Sequence, residues 1–559
     1  MSIIGTIHED VTTDVLGKIG SWQWLVTMVS ATMLFTAFFN QHEDMFLLQP
    51  PNALCVTDKI GVYNNTLCSV TYFNNKTEIL KCKEWQIKVM GFINLEKSWL
   101  IFCDHKLALI SAALLSRLGS ALGCIIYGLI ADRFGRKIPI IINVISEITL
   151  GAVLMFCDSK LWSFFFVFLK SLFASANIYL SLVTVCEIAS NEWRSRLCFI
   201  VAMPRLLAYV YMVPLTNSLP NIETYSLIGS MLGLLYLILL RWYPESPQWL
   251  LFNGMIHKTE KLLFMAAKRN GIKLCNDFKI KPADHKAYYC LDQVTTCLGF
   301  LTTHNVRVTC IVIVIFWILY NFLWSCLYVQ IYSEVVTSLF LLEVFSLGCL
   351  VACLTIILSA KIPFKHLLFI HVVVTGVLTA CVKLFDKNTS RRLLLSIALG
   401  SGITVHALIL NVTPRLFAIN IRATIFGCCH AAGQLGSIIS YTILLLTPTN
   451  NVTQICTEAL VTIVLIGLCF MVLDVDRREL PDVLEDMDYF SELSKPLRWA
   501  TQKTNSPSQE ETEMRVHSFG SAAQVTSMIF EDRQPAKPIG CARIWKLFSG
   551  IIRNLRRLH

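Results

Sequence analysis

The stretch GLIADRFGRKIP (residues 128–139) places four charged side chains between two long apolar segments. Its basic residues are typical of a short loop on the cytoplasmic side of a membrane. Gly135 permits a tight turn, and Asp132, at the end of the preceding segment, can pair with cations of a neighbouring helix. A plain positive-inside loop accounts for the basic residues but not for Asp132 and Gly135 at these spacings. The stretch therefore predicts a structured turn between two membrane spans.

The composition supports a membrane protein. Of 559 residues, 55% are hydrophobic and 15% are charged, whereas soluble domains carry about 25% charged residues. The apolar residues fall in separate runs of about 20, the length needed to cross a bilayer. The net charge of +10 comes largely from short loops beside these runs, which indicates membrane topology rather than nucleic-acid binding. No removable signal peptide is expected at the N-terminus.

The apolar runs predict twelve spans in two groups of six. Their approximate positions are 22–42, 106–130, 138–157, 161–188, 197–216, 225–242, 308–330, 334–358, 364–384, 392–414, 424–446 and 456–474. We divide the chain into a cytoplasmic N-terminus (1–21), a first six-helix bundle (22–242) with an outer loop (43–105), a central loop with helices (243–307), a second bundle (308–474) and a tail (475–559).

The basic residues of the short loops predict how the chain is oriented in the membrane. Basic residues follow the even-numbered spans two, four, eight and ten, which predicts that both termini are cytoplasmic. Lys383, Lys387, Arg391 and Arg392, near the loop between spans nine and ten, argue the other way but are outnumbered.

The outer loop carries features of an extracellular segment. Its four cysteines predict two disulfides, with three connectivities open; they are Cys55, Cys68, Cys82 and Cys103. Two N-glycosylation sequons begin at Asn64 and Asn75.

The tail changes character along its length. Residues 491–540 are rich in Ser, Thr, Gln and Glu, which predicts disorder. Residues 541–559 predict a basic amphipathic helix that binds anionic lipid of the inner leaflet or calmodulin. A disordered basic end is the alternative.

Several motifs together resemble one transporter family. DRFGRK is similar to the loop signature D-R-x-G-R-K of the major facilitator superfamily. LEKSWLIFCDHK (95–106), SLVTVCEIASNEWRSR (181–196), WYPESPQWLLFNGMIHKTEKLLFMAAKRNG (242–271) and RRELPDVLEDM (477–487) resemble sequences of solute carrier family 22, the organic cation, anion and carnitine transporters. The resemblance covers about residues 15–490.

The resemblance implies an all-α membrane protein with the major facilitator fold, in which two six-helix bundles rock about a central site. It also implies a latch of charged loops that closes the cytoplasmic face. The latch candidates are Asp132, Arg133, Gly135, Arg136, Lys137, Glu187, Arg194, Arg196, Glu245 and Arg422.

The second half departs from the family pattern. SAKIPFKH (359–366), the repeat-related loop, has Pro363 near the expected glycine and lacks the acidic residue. Arg415 and Ala418 stand where the family commonly has Glu and Pro. We expect the latch in this half to be weaker or to be formed by different contacts.

The substrate-site candidates lie inside spans. Glu343 matches an acidic position of organic cation transporters, and an intramembrane carboxylate is a functional candidate; a buried structural pair is the alternative. Trp317, Trp324 and either Tyr320 or Asn321 recur one turn apart, and aromatic faces bind organic cations. Such a stripe also arises from plain packing.

Two further substrate-site candidates favour substrates other than cations. Gln434 aligns with a position that is Asp in cation-handling and Arg in anion-handling members, so its neutral amide favours neither sign. Lys170 replaces the usual Arg and keeps the charge without the fork geometry. Other polar residues in or near spans are assigned mostly to structural pairs: Arg117, Glu147, Arg205, His371, Lys383 and His406.

These features predict a plasma-membrane transporter of small organic ions, with organic cations as the first choice of substrate. A carnitine-like zwitterion or an organic anion is the alternative. A non-transporting ligand sensor or scaffold is a further alternative because of the altered second-half loop and the long tail. The chain lacks the phosphate-binding motif GxxxxGK[ST], and no nucleophilic or metal site is predicted, so we expect neither an enzyme nor a cofactor or metal.

Overall fold

The structure is a computed structural model that describes most of the two predicted bundles. The described residues are 12–13, 15–41, 53–55, 62–65, 69–74, 76–81, 85–89, 92–96, 106–157, 160–208, 222–274, 279–280, 304–332, 338–359, 362–385, 389–446, 451–476, 478–482 and 486–487. Between residues 42 and 113 only backbone is described. The predicted amphipathic tail, 541–559, lies outside these residues.

Helices form the body of the molecule, as predicted. They are α1 (Ser21–Gln41), α2 (Lys106–Phe134), α3 (Lys137–Leu154), α4 (Lys160–Ile188), α5 (Asn191–Ala202), α6 (Ile222–Leu239), α7 (Pro247–Phe252), α8 (Ile256–Asn270), α9 (His304–Tyr332), α10 (Ser338–Ser359), α11 (Phe364–Cys381), α12 (Thr389–Val412), α13 (Arg422–Leu446) and α14 (Asn451–Met471).

Each predicted span overlaps one of these helices, and α7 and α8 lie in the predicted central loop. Within the described residues, nine helices are long and apolar enough to cross a membrane. The chain is therefore a multi-pass membrane protein. The count of twelve spans and the cytoplasmic position of both termini stay predictions.

The predicted outer loop contains six short strands, which an all-α prediction did not include. They are β1 (Ala53–Cys55), β2 (Val62–Asn65), β3 (Ser69–Asn74), β4 (Lys76–Lys81), β5 (Trp85–Val89) and β6 (Phe92–Glu96). They form two antiparallel three-stranded sheets, ordered β1-β5-β6 and β2-β3-β4. Alternating β-branched and aromatic residues, as in SVTYFN of β3, were the available signal.

The predicted disulfides and glycans fall in this segment. Cys55 lies in β1 and Asn64 in β2. Cys68, Cys82, Cys103 and Asn75 lie outside the described residues. The disulfides and glycans therefore stay predictions.

Helices α2 and α13 join the two bundles at backbone distance. A Cβ added at Gly427 would lie 2.3 Å from the carbonyl oxygen of Cys124, and one added at Gly128 would lie 2.8 Å from that of Ala423. Small residues allow membrane helices to approach this closely. The two bundles are therefore in direct contact along α2 and α13.

The central loop returns to the start of α1. The Asn270 side chain, at the end of α8, accepts a hydrogen bond from the Trp22 backbone N–H at 2.8 Å, and Ser21 donates to the Arg269 carbonyl at 2.6 Å. Leu263 of α8 packs in a small apolar cluster with Trp22. These contacts fix the first turn of α1, where backbone N–H groups lack partners within the helix.

Candidate functional site

The loops after α2, α4, α6 and α12 meet at one end of the bundles, which we call the basic end. It comprises residues 132–137, 187–196, 245–249 and 415–424. At this end Asp132, the last acidic residue of α2, accepts hydrogen bonds from the first turn of α13. The donors are the Ala423 N–H at 3.2 Å, the Thr424 N–H at 2.7 Å and the Thr424 hydroxyl at 2.7 Å. A carboxylate at a helix N-terminus satisfies free N–H groups and the helix dipole.

Glu187 is the charged centre of the basic end. It accepts hydrogen bonds from Arg136 at 2.9 and 3.2 Å and from Arg422 at 2.9 Å. All three side chains are fully buried. Arg136 belongs to the first bundle and also donates to the Ile419 carbonyl of the second at 3.0 Å. Glu187 therefore joins cations from both bundles.

The turn after α2 depends on Gly135 and Glu245. Gly135 has a φ of +97°, and an added Cβ would lie 2.5 Å from a carboxylate oxygen of Glu245. Glu245 accepts from the N–H groups of Arg136 at 2.7 Å and Lys137 at 3.2 Å, at the start of α3. Burial raises the pKa of Glu245, although these hydrogen bonds oppose the rise. Trp249 covers the turn and donates from its indole to the Asp132 carbonyl at 2.9 Å.

The second half uses different bonds, in line with its altered sequence. Arg415 and Asn411, at the end of α12, donate to the Ser195 hydroxyl of the first bundle at 3.1 and 3.2 Å. Arg415 also donates to the Val475 carbonyl. Asp476 accepts from the Phe364 N–H at 2.7 Å, at the start of α11. Asp476 thus occupies in the second half the place that Glu245 has in the first.

The other latch candidates differ in placement. Arg194 is buried and donates to the carbonyls of Cys186 and Ala189 at 3.0 Å and of Arg478 at 3.3 Å. Arg133 and Arg196 are exposed and Lys137 is half-buried. Arg196 lies over the Trp193 ring at 5.0 Å. The structure therefore brings together Asp132, Arg136, Glu187, Glu245 and Arg422, but not the exposed arginines.

An aromatic cluster lies between the bundles, halfway along α9. Trp317, Tyr320 and Trp324 are buried there. The Trp317 ring lies 5.7 Å from that of His406 and 5.4 Å from that of His430. Trp317 donates to the Thr413 hydroxyl at 3.1 Å and Tyr320 to the Gly402 carbonyl at 2.9 Å. Sequence patterns predicted the three α9 residues but not His430.

Two arginines of the first bundle reach this region. The Arg205 guanidinium lies 5.1 Å from the Phe38 ring and 4.7 Å from the Trp324 ring, so it is stacked between residues of both bundles. Arg117 donates to the side-chain oxygen of Gln434 at 3.0 Å, again across the interface. The sequence assigns both arginines to structural pairs, whereas their position between the bundles makes them substrate-site candidates.

The remaining substrate-site candidates differ in placement. Asn321 donates to the Trp317 carbonyl of its own helix at 2.9 Å. Lys170 is buried in the first bundle and donates to the Ser226 hydroxyl at 2.6 Å. Glu343 lies in α10, but its side chain is outside the described part of the structure.

The second bundle contains a buried ion pair, for which the sequence indicates Lys383 but not its partner Glu458. Lys383 lies 2.6 Å from Glu458 of α14, which also accepts from Gln330 of α9 at 3.2 Å. An acidic residue inside an apolar run was the signal for Glu458. His371 contacts the hydroxyls of Thr355 at 3.1 Å and Ser401 at 3.0 Å. Lys383 and His371 thus have polar partners, as expected.

The helical bundles, the buried charges between them and the membrane spans define a multi-pass membrane transporter with the major facilitator fold. Residues 60–472 match the sequence model of the family described as sugar (and other) transporter, which is more than half of the chain. The chain belongs to this family.

Individual relatives place it near solute carrier family 22. Solute carrier family 22 member 2 of Mus musculus is 22% identical over 403 residues, 69% of this chain and 70% of the relative. The Rattus norvegicus protein of the same name is 24% identical over 173 residues, and the match spans only 31% of either chain. The predicted resemblance to solute carrier family 22 is confirmed, and these relatives are transporters rather than enzymes.

A solved structure shows the same fold. The proton:xylose symporter XylE, bound to 6-bromo-6-deoxy-D-glucose, aligns with a TM-score of 0.59 at 13% identity. The alignment covers 84% of this chain and 99% of XylE. It confirms the predicted major facilitator fold.

Proposed function

We propose that the protein carries organic ions across the plasma membrane by alternating access, and that the basic end is its cytoplasmic gate. The observation that supports this best is Glu187, which binds Arg136 of the first bundle and Arg422 of the second at 2.9 Å. Together with the bonds from Asp132 to α13, it closes this end. Such contacts can form in one state of a rocking pair of bundles and break in the other.

The described side chains favour a substrate that has a carboxylate group. Arg117 and Arg205 lie between the bundles, beside Gln434 and Trp324. Guanidinium groups bind carboxylates with paired, charge-assisted hydrogen bonds. We therefore favour an organic anion or a carnitine-like zwitterion, whose ammonium group would lie against the aromatic rings.

An organic cation is the second candidate. The buried rings of Trp317, Tyr320 and Trp324 suit a cation in the same region. Glu343, on α10, would supply the negative charge. This candidate depends on Glu343, whereas the first depends on Arg117.

Uptake measurements separate the two. In cells that express the protein, we expect saturable uptake of labelled carnitine or an organic anion, which Arg117→Gln lowers about tenfold or more, as expected for loss of a half-buried charged hydrogen bond. Arg241→Gln, at an exposed arginine after α6, is the matched control and leaves uptake unchanged. Cell-surface labelling checks that all variants reach the membrane.

Two outcomes contradict the first candidate. Uptake of a fluorescent organic cation that Glu343→Gln abolishes and Arg117→Gln leaves intact would assign the second. Absence of flux for all three substrate classes in reconstituted vesicles would favour the non-transporting sensor.

A further inference from the structure

Two buried thiols lie beside the basic end. Cys186 is in the last turn of α4 and Cys198 is in α5, and both side chains are fully buried. The two thiols form a hydrogen bond with each other. We call Cys186 and Cys198 the thiol pair. A buried cysteine is usually a small apolar side chain, so the groups around this pair decide whether it can react.

Three arginines lie near the thiol pair. Arg194 donates from Nε to the carbonyl of Cys186 at 3.0 Å. Arg194 and Arg415 act electrostatically on the sulfurs of both cysteines, and Arg422 acts on that of Cys186. Nearby positive charges favour a thiolate over a thiol, and the thiolate is the reactive form of a cysteine. The pair therefore has the surroundings of a reactive dithiol.

Two of these arginines are like charges from different bundles. Arg194 belongs to the first bundle and Arg415 to the second; both are at most 1% exposed, and they repel each other. Asp476 attracts Arg415, but its carboxylate also binds the Phe364 N–H at 2.7 Å. The Nε of Arg415 is buried and has no hydrogen-bond partner among the described residues. Buried charges need compensation, and a thiolate at Cys186 supplies a negative charge close to both arginines.

We propose that the thiol pair is a redox switch of the basic end: its Cys186 thiolate compensates Arg194 and Arg415, and its disulfide does not. A disulfide carries no charge, so its formation leaves the two arginines to repel each other and favours separation of the bundles. The disulfide depends only on the two thiols, whereas its effect on the gate rests on the proposed function.

The oxidant is a hydroperoxide such as hydrogen peroxide. The Cys186 thiolate attacks one oxygen of hydrogen peroxide, the O–O bond breaks, and a sulfenic acid and hydroxide form. The Cys198 sulfur then attacks the sulfenic sulfur, so that an S–S bond forms and the S–O bond breaks. The hydroxyl group leaves as water with the Cys198 proton, and the hydroxide takes up the proton that Cys186 lost on ionisation. Two thiols and one peroxide thus give one disulfide and two water molecules.

Peptide mass spectrometry of the purified protein tests the bond. Trypsin cleaves after Arg194 and Arg196, so the two cysteines lie in separate peptides unless a disulfide joins them. After exposure to hydrogen peroxide and alkylation of free thiols, we expect linked peptides that a thiol reductant separates. Cys326→Ala is the matched control and should form the same link, because Cys326 is a buried cysteine of α9 that shares a hydrogen bond with Ser440.

Maleimide labelling of Cys124, which is buried at the contact of α2 with α13, measures the opening. Once peroxide is removed, we expect labelling about tenfold faster than in the reduced protein, as expected for loss of one buried charge partner. Cys186→Ala should label fast with or without peroxide. Cys186→Asp keeps a negative charge and cannot form the disulfide, so it should label slowly in both conditions. It also corrects for any direct oxidation of Cys124.

The two measurements separate the possible failures. Absence of the linked peptides after peroxide treatment overturns the redox pair. Linked peptides with Cys124 labelling no faster than in Cys186→Asp overturn the effect on the gate. Linked peptides and faster labelling in a protein without substrate flux would support the switch and contradict only the proposed transport.

Discussion

At the scale of single residues, Glu187 joins the two bundles at the basic end through two buried ion pairs. Its carboxylate lies between two guanidinium groups, and none of the three side chains contacts solvent. Hydrogen bonds from two charged donors offset the free-energy cost of burying this carboxylate. Loss of the carboxylate's charge leaves two buried cations without compensation. The closed state is therefore more sensitive to Glu187 than to any exposed charge at this end.

We expect Glu187→Gln to destabilise the closed state by about 3 kcal/mol, because breaking a buried ion pair leaves uncompensated charge. Cys124 reports the opening: its side chain is buried between α2 and α13, with its sulfur 3.4 Å from Nδ1 of His430. Faster modification of Cys124 by a maleimide, quantified by peptide mass spectrometry, measures the change.

The matched control is Glu192→Gln. Glu192 is a neighbouring glutamate whose ion pair with Lys18 is largely exposed, with side chains 61% and 69% exposed respectively. Exposed pairs contribute little, so Cys124 should react as in the wild-type protein. Equal labelling of Cys124 in the Glu187 and Glu192 variants would show that Glu187 does not hold the bundles together.

At the scale of helices, acidic side chains bind the N-termini of three helices at or beside the basic end. Asp132 binds the first turn of α13, Glu245 that of α3, and Asp476 that of α11. Glu245 and Asp476 each follow the last span of their bundle. The second half therefore makes this repeat-related contact although its loop SAKIPFKH has Pro363 near the expected glycine and lacks the acidic residue.

Glu245 gives the protein a pH-dependent stability. Burial raises its pKa above the ordinary value, so the folded chain holds this proton more tightly than the unfolded chain. The contribution of Glu245 to the free energy of unfolding is fully present below the ordinary pKa of a glutamate. It is lost as the pH rises through the raised pKa. We expect the wild-type protein to lose stability relative to Glu245→Gln as the pH rises from the ordinary pKa of a glutamate through the raised pKa.

Unfolding temperatures of the two proteins across this range measure the effect. Because every other group titrates in both proteins, their difference isolates Glu245. Two curves that stay parallel throughout would mean that Glu245 holds its proton equally in the folded and unfolded chain.

The sequence predicted many of the residues that meet at the basic end, and fewer of the contacts between the bundles further inside the molecule. Asp132, Gly135 and Arg136 were readable because a turn with φ of +97° needs glycine and because their spacing matched a family motif. The partners of Asp132 were not readable, since α13 lies nearly 300 residues further along the chain. Contacts of this kind depend on how bundles pack, which local patterns do not encode.

The interior shows the same limit. Trp317 and Trp324 were predicted from their spacing, but the stacking of Arg205 between Phe38 and Trp324 requires three helical segments at once. The strands of the outer loop were missed because their short alternating runs were read as polar loop.

At the scale of the whole molecule, the proposed alternating access requires the bundles to separate at the basic end in every cycle. We expect a short thiol cross-linker to lock the double variant Ser195→Cys, Asn411→Cys in the closed state, because these side chains are in contact across the bundles at 3.2 Å. Substrate uptake should fall to background and recover when the link is reduced.

Each single variant, treated in the same way, is the control and should keep its uptake. Uptake that continues in the cross-linked double variant would show that this end does not open during transport.

The close contact of α2 with α13 has a consequence for kinetics. Gly128 faces Ala423, Cys124 faces Gly427 and Arg117 meets Gln434, in one antiparallel register. Because the register is continuous, opening at the basic end also loosens the contacts further along these two helices, so the free energy of those contacts enters the barrier to opening. Under the proposed transport, this contribution to the barrier comes from the protein alone and is present whichever substrate is bound.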